Sequence, residues 1–345
     1  MRTRVGVALG YDTSMTIADM AEVVRQAEER NYEMAFFSET INLVRDSVSA
    51  LAAFGLATRT LALGTTQIVR LRTPITMAQT AASLDELTGG RFVLAPGACT
   101  RNHARLHGLD HIDPALTLTE WVQAIRLLLT GDRVSFAGRT VRFENVRLAW
   151  TPVRPRIPLW IAATSRTGLR LAGQIGDGVL LNAIASPEYT ASAVRIVREA
   201  AEEAGRDWNT FEVAKIVNCS LEDTRDAARD AVRWEVASKF HPMRLSYNAR
   251  IRMGVGEPYI SAADLPAFRS AYQNGGPEAL ARAIPDAYVD GLTASGTARD
   301  VVQRIGRYRE AGVRLPLLRP AARHQIRPLL DLCARARPRR WNTFI

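Results

Sequence analysis

Eight short apolar runs, each followed by a stretch of helical pattern, set the limits on how this chain can fold. The runs occupy residues 5–9 (VGVAL), 34–37 (MAFF), 61–65 (LALGT), 92–95 (FVLA), 159–162 (LWIA), 178–181 (GVLL), 213–217 (VAKIV) and 315–318 (LPLL). Most are continuous rather than alternating, the pattern of strands covered on both faces of a parallel sheet. The intervening helices mark their own ends. Residues 16–30 open with Thr16 and Asp19 at capping-box spacing, and positions 17, 20, 23, 24 and 27 form one apolar stripe. Thr117 and Glu120 predict the same box for a helix over 117–130 that stops at Gly131. Ser186 followed by Pro187 supplies an N-cap and a first-turn proline for a helix over 188–204, and a helix over 297–311 stops at Gly312.

Eight strand–helix units are the count of an α/β (β/α)8 TIM barrel. A doubly wound sheet gives the same alternation, but it normally carries a GxGxxG turn after its first strand, and Gly6 and Gly10 do not make one. The barrel is the expected fold, with two additions. Residues 133–143, centred on Gly138, predict a hairpin, and residues 239–296 hold enough sequence for a helical insertion before the eighth strand, near the mouth. The barrel is expected over 1–322, with a C-terminal helix and tail over 323–345.

Composition narrows the class. No apolar run reaches the ~18–20 residues that cross a bilayer, and no basic-then-apolar leader opens the sequence, so a cytoplasmic protein without a membrane partner is expected. The formal charge is +10, and of 45 basic side chains only Lys215 and Lys239 are lysines. The arginines are scattered and form no nucleic-acid motif, so no nucleic-acid partner is expected. Coding bias toward arginine or attraction of an anionic group both explain the excess. Cys99, Cys219 and Cys333 lie far apart, which excludes a disulfide framework and a CxxC metal site.

In a barrel of this kind the chemistry sits just past the strands' carboxyl ends. Those positions are Gly10-Tyr11, Ser38-Glu39-Thr40, Thr65-Thr66-Gln67, the residues from Gly97 through Ala98 and Cys99 to Thr100, the Ala163-Thr164-Ser165 turn, Asn182, Asn218 and Arg319. Small and hydroxyl residues dominate, which suits a flat polar ring rather than a metal. His103, His107 and His111 are spaced by four, but Gly108 should end a helix there and no HExxH glutamate accompanies them, so no metal is expected. Glu39 leaves the barrel at its mouth. It is either a catalytic acid or base, or a carboxylate salt-bridged to an arginine such as Arg45 or Arg70. Residues 162–166 join strand to helix with Thr164 or Ser165 as N-cap, which makes either a phosphate cradle or an ordinary cap. Asp177-Gly178 and Gly89-Gly90 read as structural turns at the closed end.

The residues LGTT at 63–66, RTP at 72–74 and AQTAASLDELTGGRF at 78–92 resemble the bacterial luciferase-like flavin/deazaflavin superfamily. Within it, GAC at 97–99, FENV at 143–146, IPLWIAA at 157–163, LAGQIGDGVLLN at 171–182, TASGT at 293–297 and REAG at 309–312 are similar to the coenzyme F420-dependent methylenetetrahydromethanopterin reductase-like branch. The resemblance implies a barrel binding coenzyme F420 at its mouth, as an oxidoreductase that moves a hydride between C5 of the deazaflavin and a small organic substrate. It places the ring's back face on a bulge after strand three, at Thr65, Thr66 and Gln67, and the phosphate at Ala163, Thr164 and Ser165. Thr40, Gly97, Ala98, Cys99 and Asn182 complete the expected cofactor contacts, and a homodimer is implied. Many members follow the strand-two acid with histidine. Thr40 stands there instead, leaving Glu39 or a substrate group to handle the proton. An FMN-dependent monooxygenase on the same fold is the alternative, and a barrel that binds ligand without turnover is a second.

Overall fold

The structure is a computed structural model describing residues 4–41, 43–98, 104–105, 107–109, 113–242 and 245–334. Eight strands surround the lumen: β1 (Gly6–Leu9), β2 (Met34–Phe37), β3 (Ala62–Ile68), β4 (Phe92–Gly97), β7 (Trp160–Ala163), β8 (Gly178–Leu181), β9 (Glu212–Leu221) and β11 (Leu315–Pro320). All pair in parallel in the spatial order β4-β3-β2-β1-β11-β9-β8-β7. A single bridge, Leu94 to Leu159, draws β4 toward β7, with the Leu94 amide donating to the Pro158 carbonyl at 3.1 Å. This is the nearly closed (β/α)8 barrel expected from the eight runs, each of which contributes one strand.

Alternation along the strands divides the core in two. Met34, Phe36, Val93, Trp160, Ile216 and Leu317 fill the lumen, while their neighbours Phe37, Phe92, Ile161, Val217 and Leu318 pack outward against the helices. Trp160 is thus barrel floor. The β3–β4 ladder runs from Leu63–Phe92 to Ile68–Gly97 without a register shift, so Thr65, Thr66 and Gln67 form regular strand rather than the expected bulge.

Helix α1 (Ile17–Glu29) carries the full Thr16–Asp19 capping box and buries Met20, Val23, Val24 and Ala27. Helices α2 (Ser47–Ala57) and α3 (Pro74–Leu87) follow β2 and β3. Gly89 and Gly90, both at positive φ, turn the chain from α3 into β4. Helix α4 (Pro114–Leu129) corrects one expectation. It is capped by Asp113, whose carboxylate accepts from the amides of Ala115 and Leu116, so it starts a turn before Thr117. Glu120 does different work, holding the hairpin of β5 (Val134–Ala137) and β6 (Arg142–Val146). Its carboxylate accepts from the amides of Arg139, Thr140 and Val141 and from the Thr140 hydroxyl, at 2.7–3.0 Å.

Helix α5 (Arg166–Ile175) is capped by Ser165, and α6 (Pro187–Glu203) by Ser186 with Pro187 in its first turn, as expected. After β9, the chain forms α7 (Arg225–Ser238), α8 (Leu245–Met253), α9 (Leu265–Ala283), α10 (Asp286–Leu292) and the strand β10 (Ala294–Gly296), which extends β9 outside the ring. Among the described residues the predicted insertion is therefore helical, with α9 broken by a kink at Gly275 and Gly276. Helix α11 (Ala298–Glu310), capped by Thr297 and Asp300, leads into β11, and α12 (Ile326–Leu332) packs against Tyr32, whose hydroxyl donates to the Leu329 carbonyl at 3.1 Å. Asp177, at the closed end, pairs with Arg126 and Arg156, which fits a structural turn. Among the described residues no helix is long and apolar enough to cross a membrane.

Candidate functional site

Strand alternation decides which rim side chains face the lumen. Ala62, Ala95, Ala162, Leu180, Ile216 and Leu317 all belong with the luminal residues, so Thr66, Gly97, Thr164, Asn182, Asn218 and Arg319 point the same way at the open end. Thr65, Gln67 and Ala163 point outward. Over the strands β3, β4, β7 and β8 the rim is therefore Thr66, Gly97, Ala162 and Asn182, all small or short, above a floor of Phe36 and Trp160. A Cβ on Gly97 would lie 3.2 Å from the Ala162 Cβ, so a side chain at this position would crowd the junction of β4 and β7. Ala98 is exposed beside it, and Cys99 lies outside the described residues, as do His103 and His111.

Glu39 sits behind this platform rather than in it. Its amide donates to the Thr66 hydroxyl at 2.7 Å, which ties the end of β2 to β3. Its Oε2 accepts from the Ser47 hydroxyl, from Gln67 Nε2 at 2.5 Å and from Arg72 Nη1 at 3.5 Å. Arg72 also donates to Gln67 Oε1 at 2.7 Å and to Asp46 at 2.8 Å. The partner is Arg72, not Arg45 or Arg70; Arg45 donates to the Thr13 carbonyl. Thr65, fully buried, spends its hydroxyl on the Phe37 carbonyl at 2.7 Å. Thr40 meets the Tyr11 hydroxyl at 3.2 Å.

At the start of α5, Ser165 is the N-cap, its hydroxyl accepting from the Gly168 amide at 3.1 Å. The Thr164 carbonyl accepts from the Tyr189 hydroxyl at 2.6 Å, which fixes the turn onto α6. The first-turn amides and the helix dipole beside the rim form a site that favours an anion.

The structure adds a group that the sequence did not single out. Residues 182–186, between β8 and α6, are held at every position by buried side chains. Lys215 Nζ donates to the Asn182 carbonyl at 2.9 Å, Arg252 donates to the carbonyls of Ala183 and Ile184, Tyr308 donates to Ala185 at 2.8 Å, and Glu257 accepts from the Ser186 amide at 2.9 Å. Ile184 has φ +54°, a conformation costly for a β-branched residue, and this clamp maintains it. Burial, then the neighbouring Arg252, pull the Lys215 amine down to about 7 against the opposing pull of Glu257. One of two lysines, set inside an apolar strand, was the available signal. Its partners lie 33–93 residues away and could not be read from spacing.

A cleft of about 230 Å³ lies outside the barrel, lined by Arg225, Arg229, Arg304, Arg307, Asp290 and Asp300, but Arg225 and Arg229 are already paired with Asp300 and Asp290 there, and Arg307 with Glu188.

The sequence profile of the luciferase-like monooxygenase family matches residues 1–315. A 5,10-methylenetetrahydromethanopterin reductase of Archaeoglobus fulgidus is 29% identical over 301 residues, covering 87% of this chain and 88% of that protein. An F420-dependent glucose-6-phosphate dehydrogenase of Nakamurella multipartita is 28% identical over 239 residues, 65% of this chain and 70% of that one. Among solved structures, a coenzyme F420-dependent tetrahydromethanopterin reductase from Methanopyrus kandleri superposes with TM-score 0.82 at 21% identity, covering 97% of this chain and 98% of its own. On the match to its profile across nearly the whole barrel, the chain belongs to the luciferase-like monooxygenase family.

Proposed function

We propose that this protein is an F420-dependent oxidoreductase acting on a small organic substrate in the barrel mouth. The observation that carries the reading is the platform of Thr66, Gly97, Ala162 and Asn182 next to the N-terminus of α5. A planar ring can lie on residues this small, with its phosphate against the turn Ala163-Thr164-Ser165 that leads into the N-terminus of α5. Two of the proteins named above, the glucose-6-phosphate dehydrogenase and the tetrahydromethanopterin reductase of Methanopyrus kandleri, are F420-dependent, which supports the choice of ring.

When bound, the deazaflavin supplies or accepts a hydride at C5 and forms no adduct with oxygen. The chain's own contribution is to position and to exclude water. Thr66 and the backbone of Thr65 and Gln67 support one face. Gly97 and Ala98 border the ring, Thr40 and Asn182 bound it on either side, and the arginine excess favours an anionic cofactor tail. Glu39 is the candidate for moving the proton, through Oε1, since Oε2 already accepts three hydrogen bonds.

The test is titration of the purified protein with coenzyme F420 and with FMN, followed by turnover with each reduced cofactor. Saturable F420 binding and F420H2 oxidation dependent on an organic acceptor are expected. Oxygen uptake with reduced FMN, together with no turnover of F420, would favour the monooxygenase reading instead.

A further inference from the structure

The cofactor contacts proposed above fall on β2, β3, β4, β7 and β8, which leaves the arc of β9, β11 and β1 on the other side of the lumen. Two polar side chains project there from adjacent strands. Asn218 on β9 and Arg319 on β11 are register partners, and neighbouring strands run about 4.8 Å apart. Asn218 is 1% exposed and neither its Oδ1 nor its Nδ2 has a hydrogen-bond partner; Arg319 is 5% exposed and its Nε has none. Buried amides and guanidinium groups are almost always satisfied in folded proteins, because an unmade hydrogen bond forfeits the solvation that the group had in water. Below them lie Ile216 and Leu317, which offer nothing polar.

The surroundings also define charge. Arg319 Nη2 donates to Glu235 Oε2 at 2.7 Å, and its guanidinium carbon stacks 4.2 Å from the centroid of the Tyr11 ring. Glu235 neutralises Arg319, so this arc of the lumen presents no net charge from the pair to an incoming group. An anionic head would meet a guanidinium already committed to a carboxylate.

We propose that Asn218 and Arg319 bind the oxygen of a neutral carbonyl compound and of the alcohol with which it interconverts. The assignment rests on the hydride-transfer reading above. Arg319 Nε and Asn218 Nδ2 donate to a carbonyl oxygen; Asn218 Oδ1 accepts from the hydroxyl that replaces it, so one amide serves both redox states. The reaction balances. The carbonyl carbon gains hydride from the reduced deazaflavin, the C=O π pair moves onto oxygen, and that oxygen takes up one proton by the route proposed above for Glu39, while the reverse oxidises the alcohol and returns the proton.

Cyclohexanone and cyclohexanol are suitable probes, with cyclohexanecarboxylate as an anion of similar shape. Binding is read on the F420-loaded protein by perturbation of deazaflavin absorbance, and on the cofactor-free chain by ligand-observed NMR. Both neutral probes should bind at least about tenfold more tightly than the carboxylate. Asn218→Leu and Arg319→Met should each weaken them about tenfold while leaving the Kd for F420 within about twofold, the scale expected for lost hydrogen bonds. Asn218→Leu should also melt no lower than the wild type, because it removes an unsatisfied buried amide; a merely structural asparagine would lower Tm. Tighter binding of the carboxylate, or unchanged probe affinity in Asn218→Leu, would overturn the proposal. Loss of F420 affinity in the variants would assign the pair to the cofactor instead. Failure of the wild type to bind F420 would sink the functional reading alone, and probe binding to the cofactor-free chain would still decide the role of the pair.

Discussion

At the scale of single residues, Lys215 and Glu39 carry the sharpest consequences. The folded pKa of Lys215, about 7, lies below its ordinary value of 10.5, so the unfolded chain holds the extra proton between those limits. Stability should therefore rise with pH across that window, by up to about 1.4 kcal/mol per pH unit from this group. Lys215→Met should flatten that rise, which melting curves at a series of pH values will show; an unchanged slope would assign it to other groups. Glu39→Gln keeps the shape but removes the charge that faces Arg72. If Glu39 moves the proton, kcat should fall by about 10²-fold or more while the Kd for F420 stays near the wild type; full activity would make Glu39 an anchor for Arg72 alone. The sequence placed Glu39 just past β2 because it follows an apolar strand directly, but strand alternation sets its side chain behind the platform. It could not name Arg72, because that contact depends on how the segment after β3 folds back over α2.

At the scale of elements, the hairpin shows how one carboxylate organises a segment far from it in sequence. Burial works to raise Glu120, but the hydrogen bonds from Thr140 and from the amides of Arg139, Thr140 and Val141 outweigh it and push its pKa down to about 2. A depressed folded pKa contributes stability above the ordinary value of 4.5, and that contribution is lost as pH falls through about 2. Glu120→Gln should cost about 1–3 kcal/mol at neutral pH and remove Glu120's share of the acid-induced loss. The same contact explains Gly138, where a Cβ would lie 2.5 Å from the Glu120 carboxylate. The spacing of Thr117 and Glu120 matched a capping box by coincidence. Asp113 and Pro114 formed a stronger start one turn earlier, and Glu120 was left to serve a tertiary role that no local pattern encodes.

At the scale of the whole molecule, the barrel has an uneven wall. Six register pairs join β9 to β11, whereas one bridge joins β4 to β7. The seam is reinforced from below by Arg154, which pairs with the buried Asp85 at 2.5 Å and donates to the Phe92 carbonyl at 2.8 Å. Asp85→Ala leaves that guanidinium uncompensated and should cost about 3–5 kcal/mol. Hydrogen exchange should rise first along β4 and β7 in this variant, and uniform exchange around the ring would contradict the seam's weakness. Eight buried runs, the hairpin, the insertion and most helix caps were legible in the sequence because burial on both faces and capping leave local, periodic marks. The sequence named Asn218 and Arg319 as rim positions, but their meeting across β9 and β11, the clamp on residues 182–186, the pairing of Glu39 with Arg72 and the straight β3–β4 ladder were decided only by the tertiary structure. Each depends on which distant strand or helix comes to lie alongside, and closing a ring fixes those neighbours through long-range packing that no local stretch of sequence records.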